Sequence, residues 1–278
     1  MAAVKSILVH AEKSAAGAEL LTEAAAFAQA RDAHLVALTV GAQPTLAYAG
    51  LPDIPPDVYA SDLAEAREEV KATMNFVTER LTATGVSFEV RGTVVPAGEA
   101  GRQFARQARY ADISIFARSE LDRDWHDLVD ATLFESGRPL ILCPEGASLS
   151  RIGTRVAIAW QPGAEASRAV HDAIDVIPKA EDVRIVTVDP RVGAGGHGEE
   201  PGTDLATALA RHGLPVTVDS IPRDNRTVAQ AIVHHAEGID ADLIVSGAYG
   251  HSRLTEIILG GVTRDLMEIT DRPLLMAH

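Results

Sequence analysis

The sequence predicts an α/β protein of two tandem doubly wound domains, each a five-stranded parallel sheet with helices on both faces. Three observations predict this. The 278 residues are 46% hydrophobic but only 4% aromatic, so the core is aliphatic and suits strands buried on both faces. Short apolar runs alternate with helical patterns, the mark of right-handed βαβ units. The same order of elements then occurs twice, offset by roughly 130 residues.

In the first half, strands are expected over 4–10, 33–40, 86–95, 112–116 and 139–143, with helices near 15–32, 60–84, 98–109 and 124–136. In the second half, strands are expected over 154–160, 183–188, 214–221, 241–246 and 273–277, with helices near 164–177, 202–212, 225–238 and 261–271. Gly85 and Gly213 each follow a helical pattern and precede a β-rich run, where a helix stops. Tyr110-Ala-Asp-Ile-Ser-Ile-Phe echoes Asp240-Ala-Asp-Leu-Ile-Val-Ser, and each half closes on Arg-Pro-Leu, at Arg138 and at Arg272. A polar Gly/Ser stretch from Glu145 to Gly153 has linker character, so the domains are expected to span 1–146 and 153–278.

A net charge of −14 argues against a general binder of nucleic acid or anionic membrane. One cysteine, Cys143, excludes an intramolecular disulfide and a Cys-based zinc cluster, and fits a reducing compartment. The N-terminal apolar run is too short for a signal peptide, and Glu12 and Lys13 follow it at once. No run approaches the eighteen or so apolar residues of a membrane span. The expectation is a cytoplasmic protein.

Function is concentrated near the end of the chain. The expected strand ending Ile244-Val-Ser246 runs into three glycines, Gly247, Gly250 and Gly260, with two residues between the first pair and nine between the second. A helical pattern begins at about Val262. Glycines let backbone N–H groups close around phosphate oxygens, and a helix start adds donors and a favourable dipole. The loop follows the fourth strand of its half, at the carboxyl edge where such sheets take ligands. The first half has no glycine between Gly101 and Gly137, and Arg118, Glu120, Asp122, Arg123 and Asp124 stand in the loop. Side chains and carboxylates cannot wrap a triphosphate, so only the second half is expected to hold a nucleotide.

The Gly-x2-Gly-x9-Gly loop after Ile-Val-Ser resembles the nucleotide loop of universal stress proteins. The strand ending Ala159-Trp160, the run Glu165-Ala-Ser-Arg-Ala and the closing Pro273-Leu-Leu-Met-Ala-His strengthen the likeness, which covers essentially the whole chain. It looks like a tandem member with two such domains. The resemblance implies a Rossmann-like strand order of 3-2-1-4-5, and pairing through fifth strands, which here would set Leu140–Cys143 beside Leu274–Ala277. A further homodimer is allowed. It also implies ATP or AMP as ligand, with Mg if ATP, bound as a stress-response ligand or sensor.

By position, the implied nucleotide contacts are Ala159, Gln161, Val188, Ser246, Gly247, Gly250, Gly260, Gly261, Val262 and Thr263. Two places depart from the family pattern. Gln161 replaces an Asp, keeping hydrogen bonding and losing charge. Gly261 replaces a Ser or Thr, losing a hydroxyl that is worth about 1 kcal/mol and that Thr263 could partly restore. His251 and Arg253 sit in the loop, either as phosphate donors or as solvated residues.

Other residues invite functional readings that the spacing does not support. Adjacent His234 and His235 point about 100° apart on a helix, which disfavours a shared metal. Trp160 reads as a core residue, and His278 as the end of an edge-like strand. Pro44 to Pro56 reads either as a segment whose apolar residues pack over the neighbouring domain or a partner, or as a surface lid with no ligand. No nucleophile elbow, base or Walker lysine is present, so no catalytic residue and no metal site is assigned, and any ATP hydrolysis is expected to be slow. Two alternatives remain: a nucleotide-free interaction or chaperone-like scaffold, and a very weak ATPase.

Overall fold

The computed structural model describes residues 4–43, 56–118, 123–190, 201–248 and 261–278. The chain forms two compact units, Val4–Arg138 and Pro139–His278.

In the first unit, β1 (Ser6–His10), α1 (Ala15–Gln29), β2 (His34–Gln43), α2 (Pro56–Thr82), β3 (Phe88–Pro96), α3 (Ala100–Ala108), β4 (Ile113–Ala117) and α4 (Arg123–Glu135) alternate as expected. The sheet order is β3-β2-β1-β4, all parallel. Ser14 caps α1 by accepting the Gly17 N–H at 2.9 Å, and the Ala-rich inner face of α1 is buried. β2 runs past its expected end because β3 pairs with it as far as Gln43↔Pro96. α2 starts four residues earlier than the apolar period suggests, with Pro56 at its first position, where a missing N–H costs nothing. The proline that reads as the end of a surface segment is therefore a helix start. The rest of that segment, on which the choice between packing over a domain or partner and plain surface depends, lies outside the described residues.

In the second unit, β5 (Leu140–Cys143) precedes β6 (Arg155–Ala159), α5 (Ala164–Ile174), β7 (Asp182–Val188), α6 (Thr203–Arg211), β8 (Val216–Ile221), α7 (Val228–Gly238), β9 (Leu243–Gly247), α8 (Gly261–Ile269) and β10 (Leu274–Ala277). The parallel order β8-β7-β6-β9-β10 is 3-2-1-4-5 in the numbering of its own half. β5 adds antiparallel to β10, with Leu142↔Leu274, Ile141↔Leu275 and Leu140↔Met276. All residues of both strands are buried, Cys143 among them. β10 is thus paired on both sides, which corrects the reading of it as an edge. Residues 145–153 pack within this unit, burying Leu149 and Ile152.

The internal repeat extends to hydrogen bonds. Asp112 accepts the backbone N–H groups of Lys5 and Ser6 at 2.7 and 2.9 Å. Asp242, its counterpart, accepts those of Gly153, Thr154 and Arg155 at 2.7, 3.0 and 3.1 Å. Ser136 and Thr270 likewise accept the N–H of Arg138 and Arg272, at 3.0 and 3.2 Å. Gly85 and Gly213 take φ of 73° and 81°, the left-handed conformation that ends a helix.

Candidate functional site

The carboxyl ends of β6 and β9 meet at the switch point of the second sheet, where Ala159 pairs with Ser246. The Trp160 N–H donates to Val186 O at 2.9 Å and carries β6 one step further along β7. Trp160 is half-buried rather than a core residue; it sits one position past the end of β6. Gln161 follows, exposed. The chain then turns through Gly163, extended at φ −171°, into α5, and among the described residues no side-chain cap bonds that helix start. Its first N–H groups are left for solvent or a ligand.

Gly247 is what lets these parts approach. A Cβ there would lie 2.5 Å from Ala166 N and 2.7 Å from the Glu165 carbonyl carbon. The end of β9 therefore passes against the first turn of α5, backbone to backbone, and only glycine fits. Ser246 beside it is buried, and its hydroxyl donates to Gly247 O at 3.1 Å. Ala248 is fully buried, and its N–H donates to Ala277 O at 2.9 Å.

The structure brings Ala159, Ser246 and Gly247 together with the start of α5. Val188 closes β7 opposite Ile221. Gly261, Val262 and Thr263 open α8; the first two are exposed and Thr263 is buried. A Cβ on Gly261 would meet no described atom within 4 Å. Gly250, His251, Arg253 and Gly260 lie outside the described residues.

Sequence reasoning passed over two features of this edge. Asp189, just beyond Val188, has a φ of 45°, and its carboxylate takes the Arg223 N–H at 3.3 Å and the Arg223 Nε at 3.2 Å. His278 donates from Nδ1 to Ala248 O at 2.9 Å across thirty residues of sequence. No local pattern announces either contact. His234 and His235 diverge, toward Glu237 at 3.7 Å and Asp219 at 2.8 Å. Arg184 joins the second pair, bonding Asp182 at 2.8 Å and lying 3.5 Å from Asp219, and its hydrogen bond to Asp182 holds its pKa above the ordinary value. Among the described residues, no group of His, Cys, Asp and Glu is placed to hold a metal ion.

The same corner of the first unit is filled. His10 stands where Ala159 stands in the second, Phe116 where Ser246 stands, and Glu12 where Gln161 stands. The His10 ring lies 5.7 Å from Phe104 and 5.8 Å from Phe116, and the two phenyl rings are 4.8 Å apart. Burial pushes the His10 imidazole below its ordinary pKa, against the opposing pull of Glu12 at 3.4 Å.

No curated protein matches the sequence. Among solved structures, a universal stress protein from Archaeoglobus fulgidus DSM 4304 is similar over 98% of this chain and 95% of its own, with a TM-score of 0.71 and 18% identity. A functionally unknown protein from Pseudomonas aeruginosa PAO1 is similar over 99% of this chain and 92% of its own, with a TM-score of 0.58 and 15% identity. These likenesses show the fold. The model of the universal stress protein family matches residues 3–115 and 154–278, most of the chain and once in each half. The chain belongs to the universal stress protein family, with two such domains in tandem.

Proposed function

We propose that the protein is a cytoplasmic stress-response protein that binds an adenine nucleotide in its second domain, as a ligand or sensor. The carrying observation is the approach of Gly247 to the uncapped first turn of α5, at the switch point of one sheet. That arrangement gathers backbone donors where a phosphate chain would lie. The family resemblance assigns the rest of the phosphate contacts to Gly250, Gly260 and Gly261, of which the first two lie outside the described residues. On this reading Gln161, exposed just past the first strand, contacts the adenosine, and Val188 at the end of β7 covers the adenine. The first domain takes no nucleotide, because the rings of His10, Phe104 and Phe116 occupy the corresponding corner.

On this reading, the domains span 1–146 and 153–278, and the two halves are joined through their fifth strands; the β5–β10 register supports that pairing. No base or metal-ligand set is assigned, so hydrolysis is at most slow. The test is denaturing extraction of freshly purified protein and mass spectrometry for nucleotides, beside a Gly250→Val control. Stoichiometric ATP, ADP or AMP that is lost in the control supports the site. An empty extract, with no thermal shift in millimolar MgATP, defeats it. The exposed, uncharged Gln161 and the missing hydroxyl at Gly261 favour the second reading in that event, a nucleotide-free interaction scaffold.

A further inference from the structure

β3 is the outermost strand of the first unit's sheet. β2 pairs with its inner side, and among the described residues no strand pairs with its outer side. Its nine residues are half-buried or exposed throughout. The Leu35 N–H donates to Ser87 O at 2.9 Å, so the odd-numbered residues of this stretch turn their peptide groups toward β2. Phe88, Val90, Gly92 and Val94 turn theirs outward, a row of donors and acceptors that can template another strand. Glu89 and Arg91 stand two apart on one face, where Arg91 donates to Glu89 and, at 2.6 Å, to Gln107 Oε1 of α3. The other face carries Phe88, Val90 and Gly92, with Val70 and Met74 of α2 over the glycine.

We propose that β3 is an interaction surface for a second copy of this chain, the two strands pairing antiparallel about Val90. Charge complementarity selects this occupant and this register. A lone Lys on an edge repels its own copy, whereas Glu-x-Arg is complementary to itself. In an antiparallel pair, outward-turned residues must face outward-turned residues. Centred on Val90, that sets Glu89 opposite Arg91 of the second copy twice over, at the non-hydrogen-bonded positions where side chains come closest. It also sets Phe88 beside Gly92 of the second copy, an aromatic ring against a residue with no side chain of its own. The next registers, two residues away on either side, place Glu89 against Glu89 or Arg91 against Arg91, and both repel. β8, the outermost strand of the second unit's sheet, has no such pattern: its one charge, Asp219, is held by His235 at 2.8 Å and Arg184 at 3.5 Å.

The experiment is sedimentation velocity of the full chain from micromolar to submillimolar concentration, with circular dichroism and thermal unfolding of every variant. Wild type is expected to dimerise reversibly as concentration rises. Glu89→Arg and Arg91→Glu each set like charges opposite one another, and each is expected to weaken the dimer about 10-fold or more. The double swap, Glu89→Arg with Arg91→Glu, restores complementarity and is expected to return the affinity to within about threefold of wild type. Val90→Pro removes an outward N–H and leaves the β2 ladder whole, so it is expected to abolish the dimer and keep the wild-type fold. A wild-type chain that stays monomeric across the range overturns the proposal. So does a dimer that ignores the single reversals and Val90→Pro, which would lie on another surface. A double swap no tighter than the single reversals overturns the register and the proposal with it.

Discussion

A Cβ on Gly247 would stand 2.5 Å from the backbone nitrogen of Ala166. Both neighbours are main chain, so no side chain can swing aside to make room. Gly247→Ala is therefore expected to push β9 and α5 apart and cost about 1–3 kcal/mol, with loss of bound nucleotide. Gly261→Ala, with no described atom near its new methyl, is expected to stay within about 1 kcal/mol of wild type. Urea unfolding of both variants checks this, and a Gly247→Ala protein as stable as wild type would sink the close-approach argument.

The two repeated aspartates make a second prediction. Asp242 accepts three backbone N–H groups and Asp112 accepts two. Each ties the entrance of the first strand of its half to the entrance of the fourth. Asp242→Ala leaves the half-buried N–H of Gly153 and its neighbours without this acceptor, at a cost of about 2–3 kcal/mol, and Asp112→Ala should cost less. Equal midpoints for wild type and Asp242→Ala in chemical denaturation would show that water replaces the carboxylate without penalty.

Much of the architecture was legible because its signals are local. Aliphatic runs such as Leu243–Val245 and Ile7–Val9 admit few structures, and Gly85 and Gly213 mark helix ends with their own φ. Contacts between distant segments were not legible. His278 reads as the last residue of an edge strand because nothing within Leu274–Ala277 itself shows a second neighbour; only the family resemblance set Leu140–Cys143 there, and β5 does pair with β10. Pro56 reads as a loop residue because proline in a helix shows only at the first turn. In the site, glycine spacing located the strand end, whereas the Ala248–His278 and Asp189–Arg223 contacts depend on side chains converging from separate strands.

Buried His10 gives stability a pH dependence. Burial lowers its folded-state pKa below the ordinary 6.5, the larger effect, while Glu12 opposes it. Above that value the ring is neutral in both folded and unfolded chains and contributes no slope. As pH falls through it, the unfolded chain takes up the proton first, so stability drops by up to about 1.4 kcal/mol per pH unit until the folded ring titrates as well. Replacing His10 with Leu should remove this component. The difference between wild-type and His10→Leu unfolding free energies should be flat from pH 8 to 7 and change steadily below pH 6.5. Parallel curves across that range would mean that His10 titrates alike in both states.

Phe116 and Ser246 occupy matching places in the two sheets, one beside His10 and the other beside Ala159. The first is a fully buried ring packed on Phe104; the second is a small hydroxyl at the candidate site. Phe116→Ala should therefore cost about 3–5 kcal/mol in stability through the cavity it leaves, with nucleotide content of the purified protein unchanged. Ser246→Phe should do the reverse in kind. A ring there competes with Ala159 and the first turn of α5 for the space a nucleotide needs, so bound nucleotide should vanish from the denatured extract. Paired mass spectrometry and calorimetric unfolding of the two variants separate the cases. Nucleotide lost from Phe116→Ala and kept by Ser246→Phe would move the binding site to the first domain.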